Sequence, residues 1–138
     1  MEDGISKKIP TSYVDFLTNF SNGLNILGDT LCLFGYRSNY VRTVDFSWQP
    51  YSLISFNKYD KPRNSTGEML FIGSYDWDGS LLYMTTDEKV HFCNRDDSTS
   101  LFIWDSLSSM LISELKRIYN IFDSSGIQID DTQATTPI

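Results

Sequence analysis

Three apolar runs between residues 68 and 93 lie too close together for anything but antiparallel pairing. Glu68-Met69-Leu70-Phe71-Ile72-Gly73, Ser80-Leu81-Leu82-Tyr83-Met84-Thr85 and Val90-His91-Phe92-Cys93 carry the aromatic, β-branched and long aliphatic residues of buried strands. Ser74 to Gly79 forms the first connection and Thr86 to Lys89 the second. A parallel crossover needs about a dozen residues or more, so both connections are turns and the strands form a meander. Such a sheet is stable only when it has a covered face.

The two ends of the chain supply the cover. Ile9-Pro10-Thr11-Ser12-Tyr13-Val14-Asp15-Phe16-Leu17 reads as a helix start, with Pro10 at the first helical position, where a missing N–H costs nothing. Tyr13, Phe16, Leu17 and Phe20 recur at helical spacing as one apolar stripe, and Asn22-Gly23 supplies the stop. Near the other end, Asp105 or Ser106 can cap a helix whose stripe is Leu107, Leu111, Leu115, Ile118 and Phe122, flanked by Met110 and Ile121. Lys116 and Arg117 fall toward its C-terminal end, where the helix dipole favours cations, and Ser124-Ser125-Gly126 stops it.

Between these helices, Thr30 to Tyr36 contains a buried strand ending at Gly35, and Leu53-Ile54-Ser55-Phe56 reads as another strand. Tyr40 to Phe46 fits either a strand or an irregular segment. Lys58 to Gly67 and Asn94 to Ser100 read as loops, with Leu101 to Trp104 extended. The expected fold class is therefore α+β, a mainly antiparallel sheet with a central meander packed against N-terminal and C-terminal helices. Residues 1–122 form one domain, and 123–138, poor in large apolar residues, form a loosely ordered C-terminal tail.

At 138 residues, 14% of them aromatic, the chain can bury a core without crosslinks. Cys32 and Cys93 are far apart and have no C-x-x-C partner, so buried reduced thiols are expected. No apolar run approaches the roughly 20 residues of a membrane span. Met1 to Lys8 lacks the apolar segment of a secretory signal, so a cytoplasmic location is expected and the Asn19-Phe20-Ser21 and Asn64-Ser65-Thr66 glycosylation patterns read as chance matches. The net charge of −7 is lopsided, +1 over residues 1–63 and −8 over residues 64–138. An acidic half argues against a nucleic-acid partner, since phosphate binding needs a basic surface. It suits a basic protein partner, or serves as a solvated face.

The residues able to carry chemistry are few. Asp76-Trp77-Asp78-Gly79 lacks the third oxygen position and the following Glu of a calcium loop, so no metal is expected there. It reads either as a hairpin turn, with Gly79 at positive φ and Asp side chains bonding local N–H groups, or as a turn that meets a partner. Trp77 is a candidate interface anchor or a lid on the sheet edge, and Trp48 in its aromatic loop has the same two readings. Asp87, Glu88, Asp96 and Asp97 lie in loops beside the meander, and the expectation is that both loops approach one edge of the sheet. With Asp76 and Asp78 they would set six acids against Lys89 and Arg95. His91, the lone histidine, sits mid-strand and cannot build a typical zinc site with two distant cysteines unless the fold brings them together, so a structural place is expected for it. No nucleophile elbow, phosphate loop or dinucleotide fingerprint is present, so no catalytic residue and no cofactor is assigned.

The order of these motifs resembles the SUKH superfamily: an Ile-Pro-x-x-Tyr-x-x-Phe-Leu helix ending in Asn-Gly, then Phe71-Ile72-Gly73-Ser74, an acid-and-glycine turn, Leu-Leu-Tyr-Met, and an Asp-Ser-Leu-x-x-x-Leu helix. The similarity covers roughly residues 9–122. Its acidic turn reads Asp78-Gly79-Ser80 where the family usually has Gly-Asp, and eight residues precede Ile9 where members usually carry a further helix. That superfamily is typified by fungal regulators of cell-wall glucan synthesis and by many bacterial immunity proteins. The resemblance implies a non-enzymatic α+β domain that binds and neutralises a cognate toxin, such as a basic toxin domain. A regulator linked to cell-wall glucan synthesis is the alternative role, and a small hydrolase or ligand-binding enzyme the alternative class.

Overall fold

The computed structural model describes residues 8–37 and 50–138. Trp48 and the Tyr40–Phe46 segment lie outside the described residues. Six strands run in chain order across one antiparallel sheet: β1 (Leu24–Ile26), β2 (Leu31–Leu33), β3 (Leu70–Tyr75), β4 (Leu81–Met84), β5 (Val90–Asn94) and β6 (Asp97–Trp104). The three central runs pair as their spacing requires, with Phe71 opposite Tyr83 and Leu82 opposite Phe92. β6 starts at Asp97, inside the stretch expected to be a polar loop, because only Arg95 and Asp96 are needed for the turn from Asn94. The short β1 carries no periodic signal of its own. It is held by pairing Leu24 with Leu33 and Ile26 with Leu31.

A bulge at Ile72 turns β3 over, since Phe71 faces Tyr83 but Gly73 faces Leu82. Phe71 then stacks toward Tyr83 on one side of the sheet, while Tyr75 meets Phe92 on the other. Each side takes its own helix. On the Tyr75 side lies α3 (Leu107–Ile121), started by Ser106 and Ser109 in a reciprocal capping box. Its buried seam is Leu107, Met110, Glu114 and Ile118, so a carboxylate occupies the centre of an otherwise apolar stripe. The Glu114 side chain is 1% exposed and is satisfied by the Tyr75 hydroxyl and by both prongs of Arg117. Arg117 also donates to the carbonyls of Thr135 and Thr136, at 2.7 and 3.1 Å. Residues 123–138 are thereby tied back along α3, with Phe122 bridging Gln128.

The first helix, α1 (Thr11–Asp15), begins one residue later than its sequence suggests, because Pro10 is the cap and its carbonyl accepts from Tyr13 and Val14. From Phe16 to Phe20 it widens into a π turn closed by Ser21 N–H on Phe16 O. The wider turn carries Phe20 off the stripe, leaving it 73% exposed while Tyr13, Phe16 and Leu17 stay buried. Asn22-Gly23 does more than stop this helix. Gly23 has φ +89°, and a Cβ there would lie 2.7 Å from Pro50 and 2.9 Å from Leu33 O. Asn22 meanwhile bonds both backbone groups of Tyr36.

Leu53-Ile54-Ser55-Phe56 is helical, not a strand. α2 (Leu53–Ser55) continues as a π turn over Phe56–Asp60, and the Ser52 hydroxyl caps its start by accepting from Ser55 N–H. Strand-type bonding is nevertheless present. β2 ends at Leu33, and beyond Phe34 the outer side of β3 has no neighbouring strand. The buried Asn57 amide takes that place, accepting from Phe71 N–H and donating to Phe71 C=O, each at 2.9 Å. Replacing Asn57 with Ala orphans two buried backbone groups, and urea unfolding is expected to show a loss of about 3 kcal/mol. A loss below about 0.5 kcal/mol would mean the amide is not what joins α2 to the sheet.

Candidate functional site

In a meander successive turns alternate ends. The β3–β4 turn (76–80) and the β5–β6 turn (95–96) therefore lie at one end, and the β4–β5 turn (85–89) at the other. The six acids expected to share one edge are divided accordingly. Asp76, Asp78, Asp96 and Asp97 stand together, while Asp87 and Glu88 stand at the far end. The β1–β2 turn (27–30) joins the first group, because Leu31 pairs with Tyr75.

The far-end acids are engaged with the chain itself. The Glu88 carboxylate accepts from Ser12 N–H at 2.7 Å and so caps α1, which holds it below the usual glutamate range. Glu88 sits at φ +64°, a conformation disfavoured for a residue with a Cβ and retained here with that cap. Asp87 accepts from the Thr85 hydroxyl and Lys89 N–H, and these bonds lower its pKa. At the near end two more acids do local work. Asp78 accepts from Ser80 N–H, closing the turn in which Gly79 has φ +76°. Asp97 accepts from Thr99 and from the Asn64 amide, and Asn64 in turn bonds Ser98 N–H and its hydroxyl, pinning the 61–67 loop to β6. These bonds depress the Asp97 pKa.

What remains is a groove of 630 Å³ beside α2. Its floor is aromatic: the half-buried Tyr51 and Phe56 pack against each other and against the fully buried Phe34, with centroids 4.8 to 6.3 Å apart, flanked by Cys32 and Leu81. Its rim is formed by Asp29, Asp60, Asp76 and Asp96, all exposed, with Arg95 the one cation among its lining residues. Arg95 lies with its stem across Gly79, where a Cβ would come within 2.9 Å of Cδ, and makes no ion pair among the described residues. Partial burial and the nearby Asp29 carboxylate push the Asp76 carboxyl above its ordinary range. Asp60 accepts from the Tyr51 hydroxyl at 2.7 Å. Trp77, between Asp76 and Asp78 in the β3–β4 turn, is 45% exposed.

Asp29, Asp60, Tyr51 and the phenylalanines of the floor carried no local motif; only the pairing of β2 with β3 and the docking of α2 assemble them. The hydroxyl and imidazole groups on the opposite flank form a chain with a defined direction. Thr85 donates a hydrogen bond to Asp87, which leaves its oxygen to accept from His91 Nε2–H, and Nδ1 lies 2.9 Å from the Ser100 hydroxyl. His91 stacks on Tyr83, with planes 6° apart, and burial lowers its pKa. It lines neither this groove nor the 410 Å³ cleft at the far end. Cys32 and Cys93 are buried thiols, not a disulfide, with the Cys93 thiol pushed up to about 12 by burial. Among the described residues no group of three or more His, Cys, Asp or Glu is placed to hold a metal, and no helix is long and apolar enough to cross a membrane. No family model matches the chain, nor does any curated protein or solved structure.

Two substitutions separate the engaged carboxylates from the crowded one. The Glu88 cap is complete above the ordinary glutamate pKa of 4.5 and is lost only as pH falls through the lower folded-state value. Glu88→Ala is therefore expected to cost about 1 kcal/mol at pH 7, with the difference from the parent fading toward pH 3 in thermal melts. Asp76 is shifted the other way, so its ionised form weighs against folding once pH exceeds the ordinary 3.8. Asp76→Asn should stabilise the fold at pH 7 by less than about 1 kcal/mol, and the gain should vanish below pH 3.8. A variant less stable than the parent at pH 7 would contradict the crowding.

Proposed function

We propose that this chain is a non-enzymatic protein-binding domain that occupies a basic partner with the acidic end of its sheet. In the SUKH-like reading of its motifs it is an immunity protein, acting in the cytoplasm and neutralising a cognate toxin. The observation that carries the proposal is the groove's charge. Four exposed carboxylates surround an aromatic floor, and none has an ion-paired cation among the described residues. A basic surface with protruding side chains complements such a rim, while the floor offers desolvated area for an anchor. The α+β fold with its antiparallel meander agrees with what the resemblance implies. Charge of this kind speeds encounter more than it deepens affinity.

The test is functional. Co-expression with a toxin-domain protein encoded beside this chain is expected to restore growth. With the purified pair, changing Asp29, Asp60, Asp76 and Asp96 together to Asn should slow association about tenfold or more at low salt and little at about 1 M salt. Failure to restore growth removes the immunity role. An on-rate indifferent to both salt and the four changes removes the acidic surface as its means.

A further inference from the structure

The groove's floor and rim together specify more than a positive charge. A lysine ammonium is a compact, strongly hydrated point charge that gains little from an apolar floor unless stripped of water. A guanidinium is planar and weakly hydrated; it stacks on aromatic faces while its edge donates in pairs to carboxylates. Both kinds of surface occur here within one 630 Å³ space: the half-buried Tyr51 and Phe56 rings, backed by the buried Phe34, and Asp76 beside Asp29 at the edge. The groove already accommodates a guanidinium on its wall, since Arg95 runs across Gly79 and enters the lining without an ion pair among the described residues. A second copy of the chain is a poor occupant, because each carries a net charge of −7 and would bring acid against acid.

We infer that the groove receives an arginine side chain projecting from the basic partner, laid on the Tyr51 and Phe56 rings and paired at its edge with Asp76 and Asp29. Arginine is then the anchor residue of the interface, and Asp76 the residue that selects it over lysine. This deepens the protein-binding reading and rests on it.

The test uses the whole protein, labelled with nitrogen-15, and blocked single amino acids as probes: N-acetyl-arginine methylamide, its lysine counterpart and its citrulline counterpart. At low salt the arginine compound is expected to shift the amides of Cys32, Ser74, Gly79 and Leu81 in a saturable way. The lysine compound should bind about fivefold more weakly or less, and citrulline, which keeps the shape without the charge, should leave those amides unmoved. Asp76→Asn should weaken the arginine response about fivefold or more, with the rest of the spectrum unchanged. Equal responses to arginine and lysine, responses away from the groove, no response, or an undiminished response in Asp76→Asn would each overturn the inference. A toxin rescue that succeeds while the arginine titration fails would sink the arginine anchor alone. A specific arginine response without rescue would sink the immunity role alone.

Discussion

Asn57 bonds to both backbone groups of Phe71, and the concave end of the molecule depends on this pair of hydrogen bonds. β2 ends after three residues, and the chain leaves the sheet at Gly35, whose carbonyl accepts from Leu53 N–H as α2 begins. Left alone, the exposed flank of β3 would carry an unpaired donor and acceptor in an apolar setting, at a cost no small domain tolerates well. A side-chain amide has the same donor and acceptor as a peptide group, so a helix can finish the ladder where a strand is missing. Because it does so from a helix, Phe56 is brought against Phe34 and Phe71 and stands where it can floor a groove. A continuous β2 would have left this side a flat sheet face.

The second constraint is the parity of the meander. Turns one and three fall together and turn two falls opposite, so acids adjacent in the sequence are parted by the length of the strands, while Asp29 and Asp76, 47 positions apart by their numbering, are close enough for one to raise the pKa of the other. The bulge at Ile72 adds a local inversion that lets one strand serve two helices, Phe71 toward α2 and Tyr75 toward Glu114 of α3.

Much of this was legible beforehand. The three central strands follow from connection length, the terminal helices from periodic apolar residues and from Ser106, and the Gly79 turn from its composition. Parity is legible too, since alternation of ends follows from any meander and by itself parts Asp87 from Asp96. Other features were not open to local reading. Leu53-Ile54-Ser55-Phe56 has the composition of a strand, and only Ser52 as a cap and the tertiary demand on Asn57 make it helical. Glu114 gives no local signal, because a charge interrupts an apolar stripe, and its partners Tyr75 and Arg117 come from another element and another helical turn. The groove required both the β2–β3 pairing and the α2 docking, neither of which has a motif.

The acids of this chain fall into two kinds, and the difference locates the interaction surface better than their number does. Glu88, Asp87, Asp78 and Asp97 each accept from the chain's own N–H or hydroxyl groups; removing any of them would damage a cap or a turn. Structure alone accounts for them. Asp76 is partly desolvated and lies near Asp29, and Asp96 has no side-chain hydrogen bond or ion pair among the described residues. A carboxylate whose ionisation opposes folding serves no purpose in the isolated domain, where Asn would do the same local work without repulsion. Its negative charge gains value only against a cation brought from outside, which relieves the repulsion as it binds. The unbalanced rim is thus a modest loss of stability retained in the free protein and recovered on association, and it lies over the aromatic surface where such a cation can be stripped of water.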